Sequence, residues 1–391
     1  MYSDARTNSD HLQHVSHARP GTLPFPDKLY VITPISNPMR YASRFEHYRA
    51  FEKRVIDAGG ALYTIEAAYA ERPFEVTSPE NPQHIQVRSG SEVWLKENLI
   101  NLAIQRLPLA AKYIAWVDAD LTFSRPDWVQ ETLHQLQHFD FVQMWSHLVQ
   151  LGPNSEVLGN DVSFMEGWTK FQADPLRRDL QWYPEQMAQK IQPGEFWAMN
   201  ADGSLKSRMF FASQEYGNGP QTNLSNEAST YSLKAETIAP EWYGAPGGAW
   251  AATRAAISAV GGLIDWVPTG SADYYLALGL MGKMDFTIEG GRDQYDPAFV
   301  ESLLSWQENA VNRIRGNVGH VSGTILHHWH GSMKQRGYGS RWQILTRHHF
   351  DPRRDLIRNS QGVYELAGHK PGLRDDLRNY FRSRNEDSIE A

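Results

Sequence analysis

Residues 112–120 read Lys112-Tyr-Ile-Ala-Trp-Val-Asp118-Ala119-Asp120. The apolar run from Tyr113 to Val117 is too continuous for a strand with one face in water. It is the pattern of a central strand covered on both sides, as in parallel sheets. A buried strand that ends in two acids must discharge them into a site or into solvent. In open α/β sheets the ligand crevice lies beyond the carboxyl ends of the strands. Alternation of side chains along an extended segment sends Asp118 and Asp120 to the same side. There they can hold a hard divalent ion through oxygen ligands. A solvated turn is the competing reading, because an Asp-x-Asp triplet is short and arises by chance.

Upstream, Lys28-Leu-Tyr-Val-Ile-Thr33 reads as a strand closed by Thr33-Pro34. Arg44–Ala58 carries apolar residues at helical spacing and stops at Gly59-Gly60. Ala61–Glu66 is a second strand ending in an acid, Ile85–Val87 a third, and Glu92–Leu107 a helix. Downstream, Pro126–His138 reads as a helix and Phe139–Trp145 as a strand. This alternation predicts a doubly wound α/β sheet. It lapses between Leu151 and Tyr243, a polar and aromatic stretch expected to be a long insertion on the acceptor side. Order is expected again at Gly247–Thr253, the helices Arg254–Val260 and Asp273–Leu280, and the strand Gly323–His327. The expected organisation is a polar extension over 1–27, a catalytic domain over 28–350 and a charged helical tail over 351–391.

The Asp-x-Asp strand resembles that of nucleotide-sugar transferases of the GT-A fold. Lys96-Glu-Asn-Leu-Ile-Asn-Leu-Ala-Ile104 and Tyr113–Asp120 are similar to the helix and strand of the inverting galactosyltransferase and N-acetylgalactosaminyltransferase branch. The resemblance implies a Rossmann-like nucleotide-sugar domain, Asp118 on the ribose and Asp120 on manganese or magnesium. It places Thr33, Pro34 and Glu66 near the base and ribose, and Lys96 among the donor-binding residues. Members of that branch carry Gly-Gly-Phe-Asp-Glu…Glu-Asp, whose last acid deprotonates the acceptor. Here the chain reads Gly261-Gly-Leu-Ile-Asp265 and Gly270-Ser-Ala-Asp273, with Ala272 in place of the Glu. That departure leaves the base open between Asp273, which is favoured, and Asp265. Asp273 as a helix cap is the alternative. Gly247 and Gly248 resemble the floor beneath the sugar, where missing side chains let backbone approach a ligand.

A late His completes the metal site in related transferases. Leu326-His327-His328-Trp-His330 offers three. On a strand His328 and His330 share a side and His327 lies opposite, so His328 is preferred and His330 comes next. Zinc is less expected, since no acid or Cys stands at ligand spacing nearby. Lys334, Arg336, Tyr338 and Arg341 follow in a Gly-punctuated loop that can close over a diphosphate.

The absence of cysteine removes disulfides, thiolate zinc sites and cysteine nucleophiles. With no apolar N-terminal run and no stretch of ~18 apolar residues, the chain is expected to be cytoplasmic and away from membranes. Its formal net charge of −7 argues against broad nucleic-acid affinity. Yet Asn312–Ala391 holds fourteen Lys/Arg against eight Asp/Glu, so one surface is expected to meet an anion. The expected function is metal-dependent transfer of a sugar, from a uridine diphosphate sugar, to a hydroxyl with inversion. A surface glycan, a protein, or a hydroxymethylated pyrimidine in DNA tracked by Arg341, Arg347, Arg353, Arg354, Arg358, Lys370, Arg374 and Arg378 would serve as acceptor. Two other classes compete. A nucleotidyltransferase or phosphohydrolase also uses paired carboxylates and metal, but no Walker-type loop or two-metal His/Asp cluster supports it, and a non-catalytic sugar- or nucleic-acid-binding module would bind without turnover.

Overall fold

The computed structural model describes residues 27–173, 197–199, 205–207, 243–285, 295–338 and 340–389. Tyr113–Val117 is a strand with all five residues buried. Its side chains alternate between two cores. Ile114 and Trp116 join Ile32, Ile65, Trp250 and Ala252 on one side. Tyr113, Ala115 and Val117 join Leu29, Val31, Leu62, Ala249 and Ala251 on the other. A strand between two apolar layers has no polar face to show, which is why its sequence does not alternate.

The strands in chain order are β1 (Leu29–Ser36), β2 (Ala61–Tyr69), β3 (His84–Ser89), β4 (Tyr113–Val117), β5 (Leu121–Phe123), β6 (Phe141–Gln143), β7 (His147–Leu151) and β8 (Val157–Val162). They continue with β9 (Trp197–Met199), β10 (Leu205–Ser207), β11 (Ala249–Thr253), β12 (Val318–His320) and β13 (Thr324–His327). A hairpin of β14 (Leu356–Arg358) and β15 (Tyr364–Leu366) follows. The main sheet has the order β12-β6-β11-β4-β1-β2-β3. Its pairings are parallel except where β11 runs antiparallel to both β4 and β6. The fold is therefore α/β with a mixed, mostly parallel sheet. A second sheet, β5-β13-β7-β8, begins where the chain leaves β4.

Helices cover both faces. Lys96–Arg106, Ala272–Leu280 and the eighteen-residue Pro297–Ile314 pack into the first core through Leu99, Leu276 and Leu303. Ala42–Asp57 packs into the second through Phe51 and Val55, and Trp128–Gln135 through Trp128 and Val129. Pro297–Ile314 was not anticipated, although Asp296 caps it and Pro297 opens it as a helix start should.

Regular structure continues past Leu151, through the β7–β8 hairpin and the helix Phe164–Ala173. Of the expected insertion, 174–242 lies outside the described residues save for the antiparallel β9–β10 pair, as does the extension over 1–26. The segment from Asp351 onward differs from a solvated helical tail. It holds the β14–β15 hairpin and a helix, Pro371–Ser383, whose Leu373, Leu377 and Tyr380 are part of the first core. No helix among the described residues is long and apolar enough to cross a membrane.

Candidate metal and ligand site

A cavity of about 370 Å³ opens at the carboxyl end of β4, a size that suits a small-molecule ligand. Asp118 and Asp120 both line it, but each answers to a different wall. After Val117 the chain turns, and the Asp118 N–H donates to the Gly248 carbonyl at 2.9 Å. The Asp118 carboxylate meets the Lys96 ammonium, at the start of Lys96–Arg106, at 2.7 Å. Burial works against the Lys96 charge, but Asp118 and Asp273 outweigh it and hold the ammonium protonated.

Asp120 faces the second sheet. Its Oδ2 lies 3.3 Å from His330 Nε2 and 3.7 Å from His327 Nε2, and the two imidazole nitrogens are 3.0 Å apart. The three ligand atoms lie within 4.8 Å of one another and can hold a metal ion. The fit is supported by Asp120 Oδ1, which is buried without a hydrogen-bond partner. Burial, then Arg336, keeps the His330 pKa well below the usual imidazole range, so a neutral ring with a free lone pair is the stable form. One carboxylate with two imidazoles suits manganese, cobalt or zinc better than magnesium, which prefers oxygen ligands. Zinc thus fits better than ligand spacing along the chain suggested, because the acid arrives from the turn between β4 and β5.

The preference for His328 over His327 is corrected. β13 ends at His327, so strand alternation does not extend to the residues beyond it. The His328 N–H donates to the Asp120 carbonyl at 2.8 Å, while its ring meets Thr122 Oγ1 at 2.8 Å and stacks on His47. Burial, then the neighbouring His47, pushes its pKa down to about 4. His330 turns back toward Asp120 ahead of Gly331, whose φ of +89° permits the bend. A Cβ there would lie 2.7 Å from the Arg384 carbonyl, so the glycine also admits the C-terminal segment.

Asp273 lines the same cavity from the first turn of Ala272–Leu280. Ser271, not Asp273, occupies the cap position. A Cβ on Gly247 would lie 2.6 Å from Asp273 Oδ2, so that glycine is what lets the carboxylate rest against backbone. Gly247 and Gly248 both line the cavity. Asp265 is elsewhere, paired with Arg358 at 3.1 Å.

Several expected donor contacts fall outside the cavity. Thr33 is buried and spends its hydroxyl on the Val117 carbonyl at 2.9 Å, tying β1 to β4; its neighbour Pro34 does line the space. Glu66 accepts from the Glu75, Val76 and Thr77 amides and the Thr77 hydroxyl, and so organises the Pro-rich loop. Lys334 is not among the lining residues. Arg336 is buried and donates to the Gly331 carbonyl at 3.1 Å. Tyr338 lines the cavity, with the Arg341 guanidinium 4.7 Å above its ring.

Sequence reasoning missed the wall built by the C-terminal segment. Phe381, Arg384 and Glu386 line the cavity. Glu386 is fully buried between Arg384, at 2.5 Å, and Arg44, at 2.7 Å. The Tyr380 hydroxyl accepts from Arg341 at 3.1 Å and from Arg384 at 2.9 Å. Three guanidiniums, Arg44, Arg341 and Arg384, thus stand on this wall against one directly paired carboxylate. Arg341 and Arg384 are buried and Arg44 is partly exposed; Asp120 and Asp273 in the same cavity offset part of this charge, Asp120 acting on Arg44 and Asp273 on Arg341. By contrast, six cations expected to track DNA phosphates are paired within the molecule: Arg347 with Asp376, Arg353 with Glu301, Arg358 with Asp265, Lys370 with Asp355, Arg374 with Asp375 and Arg378 with Glu92.

Glu97 is a second omission. It lines the cavity beside Lys96 and is 8% exposed. Burial, against the pull of Lys96, pushes its carboxyl up to about 8. The folded chain therefore binds a proton there that the unfolded chain, titrating near ~4.3, has released. That contribution to stability is full below the unfolded value and is lost as pH rises through the folded one. Glu97→Gln, neutral throughout, should flatten the fall in stability between about pH 6 and 8, by up to ~1.4 kcal/mol per pH unit. Denaturant melts of both proteins across that range check this; parallel slopes would refute it.

The chain matches no known family model and no curated protein.

Proposed function

We propose that the chain is a metal-dependent glycosyltransferase of the GT-A type. It would move a sugar from a nucleoside diphosphate donor, a uridine diphosphate sugar by resemblance, to an acceptor hydroxyl. The observation that carries this reading is the convergence, in one cavity, of Asp120, His327 and His330 with a wall of guanidiniums and the carboxylate of Asp273. The first two features suit an anionic ligand such as a diphosphate, and the third supplies a proton acceptor. Manganese is the ion best matched to both the donor set and the resemblance. What such an ion supplies is charge neutralisation at a departing diphosphate.

The chain's own groups would do the rest. Arg341 and Arg384 stabilise the charge that develops on the leaving phosphate oxygen. Lys96 fixes Asp118 toward the ribose hydroxyls. Gly247 and Gly248 bring backbone close to the sugar. Asp273 takes the acceptor proton as the new carbon–oxygen bond forms and the bond to the phosphate oxygen breaks. One in-line displacement of this kind inverts the anomeric carbon. The intramolecular pairing of six tail cations gives no ground for preferring DNA among hydroxyl acceptors.

A panel of nucleotide sugars with Mn²⁺, read as nucleoside diphosphate release, tests the proposal. Release should require the metal and cease with a chelator. Asp273→Asn should lower kcat for transfer by about 10²–10⁴-fold with donor affinity unchanged. Donor binding by calorimetry without any release would instead favour a non-catalytic sugar-binding module, and equal release with and without chelator would end the metal-dependent reading.

A further inference from the structure

Three strands of the second sheet set a row of polar side chains along one face of the cavity. In the parallel pair of β13 and β7, His327 stands opposite Gln150. In the antiparallel pair of β7 and β8, Gln150 stands opposite Gly159 and Leu148 opposite Asp161. Residues two apart share a face, so His327, Gln150 and Asp161 project to the same side, and all three line the cavity. Gln150 Oε1 lies 2.8 Å from His327 Nδ1, and the Gln150 side chain also hydrogen-bonds Asp161.

We infer that Asp161 and Gln150 are positioning residues that fix the tautomer of His327 and so keep its Nε2 lone pair aimed at the metal position. The inference rests on reading Asp120, His327 and His330 as a metal site. The chemistry runs in one direction along the row. As a carboxylate, Asp161 only accepts hydrogen bonds, so it selects the orientation in which Gln150 presents its NH₂ to Asp161 and its oxygen to His327. An oxygen facing Nδ1 requires that nitrogen to carry the proton. The remaining nitrogen, Nε2, is then unprotonated, and Nε2 is the atom that faces Asp120 and His330. Outer partners of this kind orient metal-binding imidazoles and raise their basicity.

The row also separates two roles that sequence spacing cannot. Asp161 is a carboxylate outside the metal trio, and its place on β8 puts Gln150 between it and His327. It acts through the amide, by deciding which way the amide points. An apolar residue at 150 would leave His327 free to take either tautomer. Asparagine at 161, able to donate as well as accept, would let the amide turn over.

Two measurements on the full chain test this. Zn²⁺ alone, titrated calorimetrically, should bind Gln150→Leu about 10–100-fold more weakly than wild type. Asp161→Asn should lose affinity in the same direction by a smaller factor. In metal-free protein with ¹⁵N-labelled histidine, long-range proton–nitrogen spectra should show His327 as the Nδ1–H tautomer in wild type and as a mixture in both variants. Matching metal-free melting temperatures establish that the variants fold. A wild-type His327 protonated on Nε2, or variants with unchanged tautomer and unchanged affinity, would overturn the inference. Should wild type bind no metal, the metal reading fails on its own, and the tautomer spectra still decide whether Asp161 and Gln150 fix His327.

Discussion

Asp120→Ala should lose metal binding outright while leaving the metal-free protein no less stable. Removing an outer partner of a metal ligand already costs 10–100-fold in affinity, so loss of the only carboxylate in the trio should exceed about 100-fold. The carboxylate is not needed for folding, because one of its oxygens is buried with no hydrogen-bond partner and such an atom is a liability. Thermal melts separate the two effects. With metal at about 100 times its Kd, wild type should gain ~2.7 kcal/mol, and the variant should gain nothing. An equal metal-induced gain in both proteins would remove Asp120 from the site. A fall of several kcal/mol in the metal-free variant would make its contact with the histidines structural.

Glu386→Ala should cost about 3–5 kcal/mol, the usual penalty for stranding buried partners of an ion pair. Two guanidiniums depend on this carboxylate, Arg44 and Arg384, and Arg384 is 2% exposed. Burial alone would raise the Glu386 pKa, but the two arginines outweigh it and hold the carboxyl well below its usual range. A depressed acid stabilises the fold above its unfolded value, near ~4.3, and that stabilisation is lost as pH falls through the folded value. Wild type should therefore lose this stabilisation progressively as pH falls below about 4.3, and Glu386→Gln should show a shallower acid limb. Urea unfolding at pH 7 and across the acid range checks both. A loss under ~1 kcal/mol for Glu386→Ala would mean that water replaces the carboxylate and the wall is open.

What the sequence revealed and what it hid divide along a physical line. Continuous apolar runs and helix stops depend on neighbours a few residues apart, so β1, β2, β4 and the helices around them were legible. The acids after β4 were legible for the same reason. The direction of β11 was not, because Ala249–Thr253 sits between two apolar layers whichever way it runs. The choice among the three histidines turned on the path of the chain beyond β13, where strand alternation no longer says which way His328 and His330 point. Arg384 and Glu386 carried no mark of burial at all. Charges spaced like those of a solvated helix are paired only after distant parts of the chain meet, as Arg44 and Glu386 do across 342 positions.

That long closure has a thermal consequence. Segments held by a few distant contacts open at a lower free energy than the sheet that supports them. The segment from Phe381 to Ser388 is held by Arg44, by the amides of Ala42 and Ser43 on Asp387, and by the indole of Trp329 on the Ser388 carbonyl. Heating would undock this segment first, exposing the guanidinium wall to water while the seven strands stay paired. The temperature at which the guanidinium wall opens to water is then set by the latch at residues 381–388, below the point at which the protein itself melts.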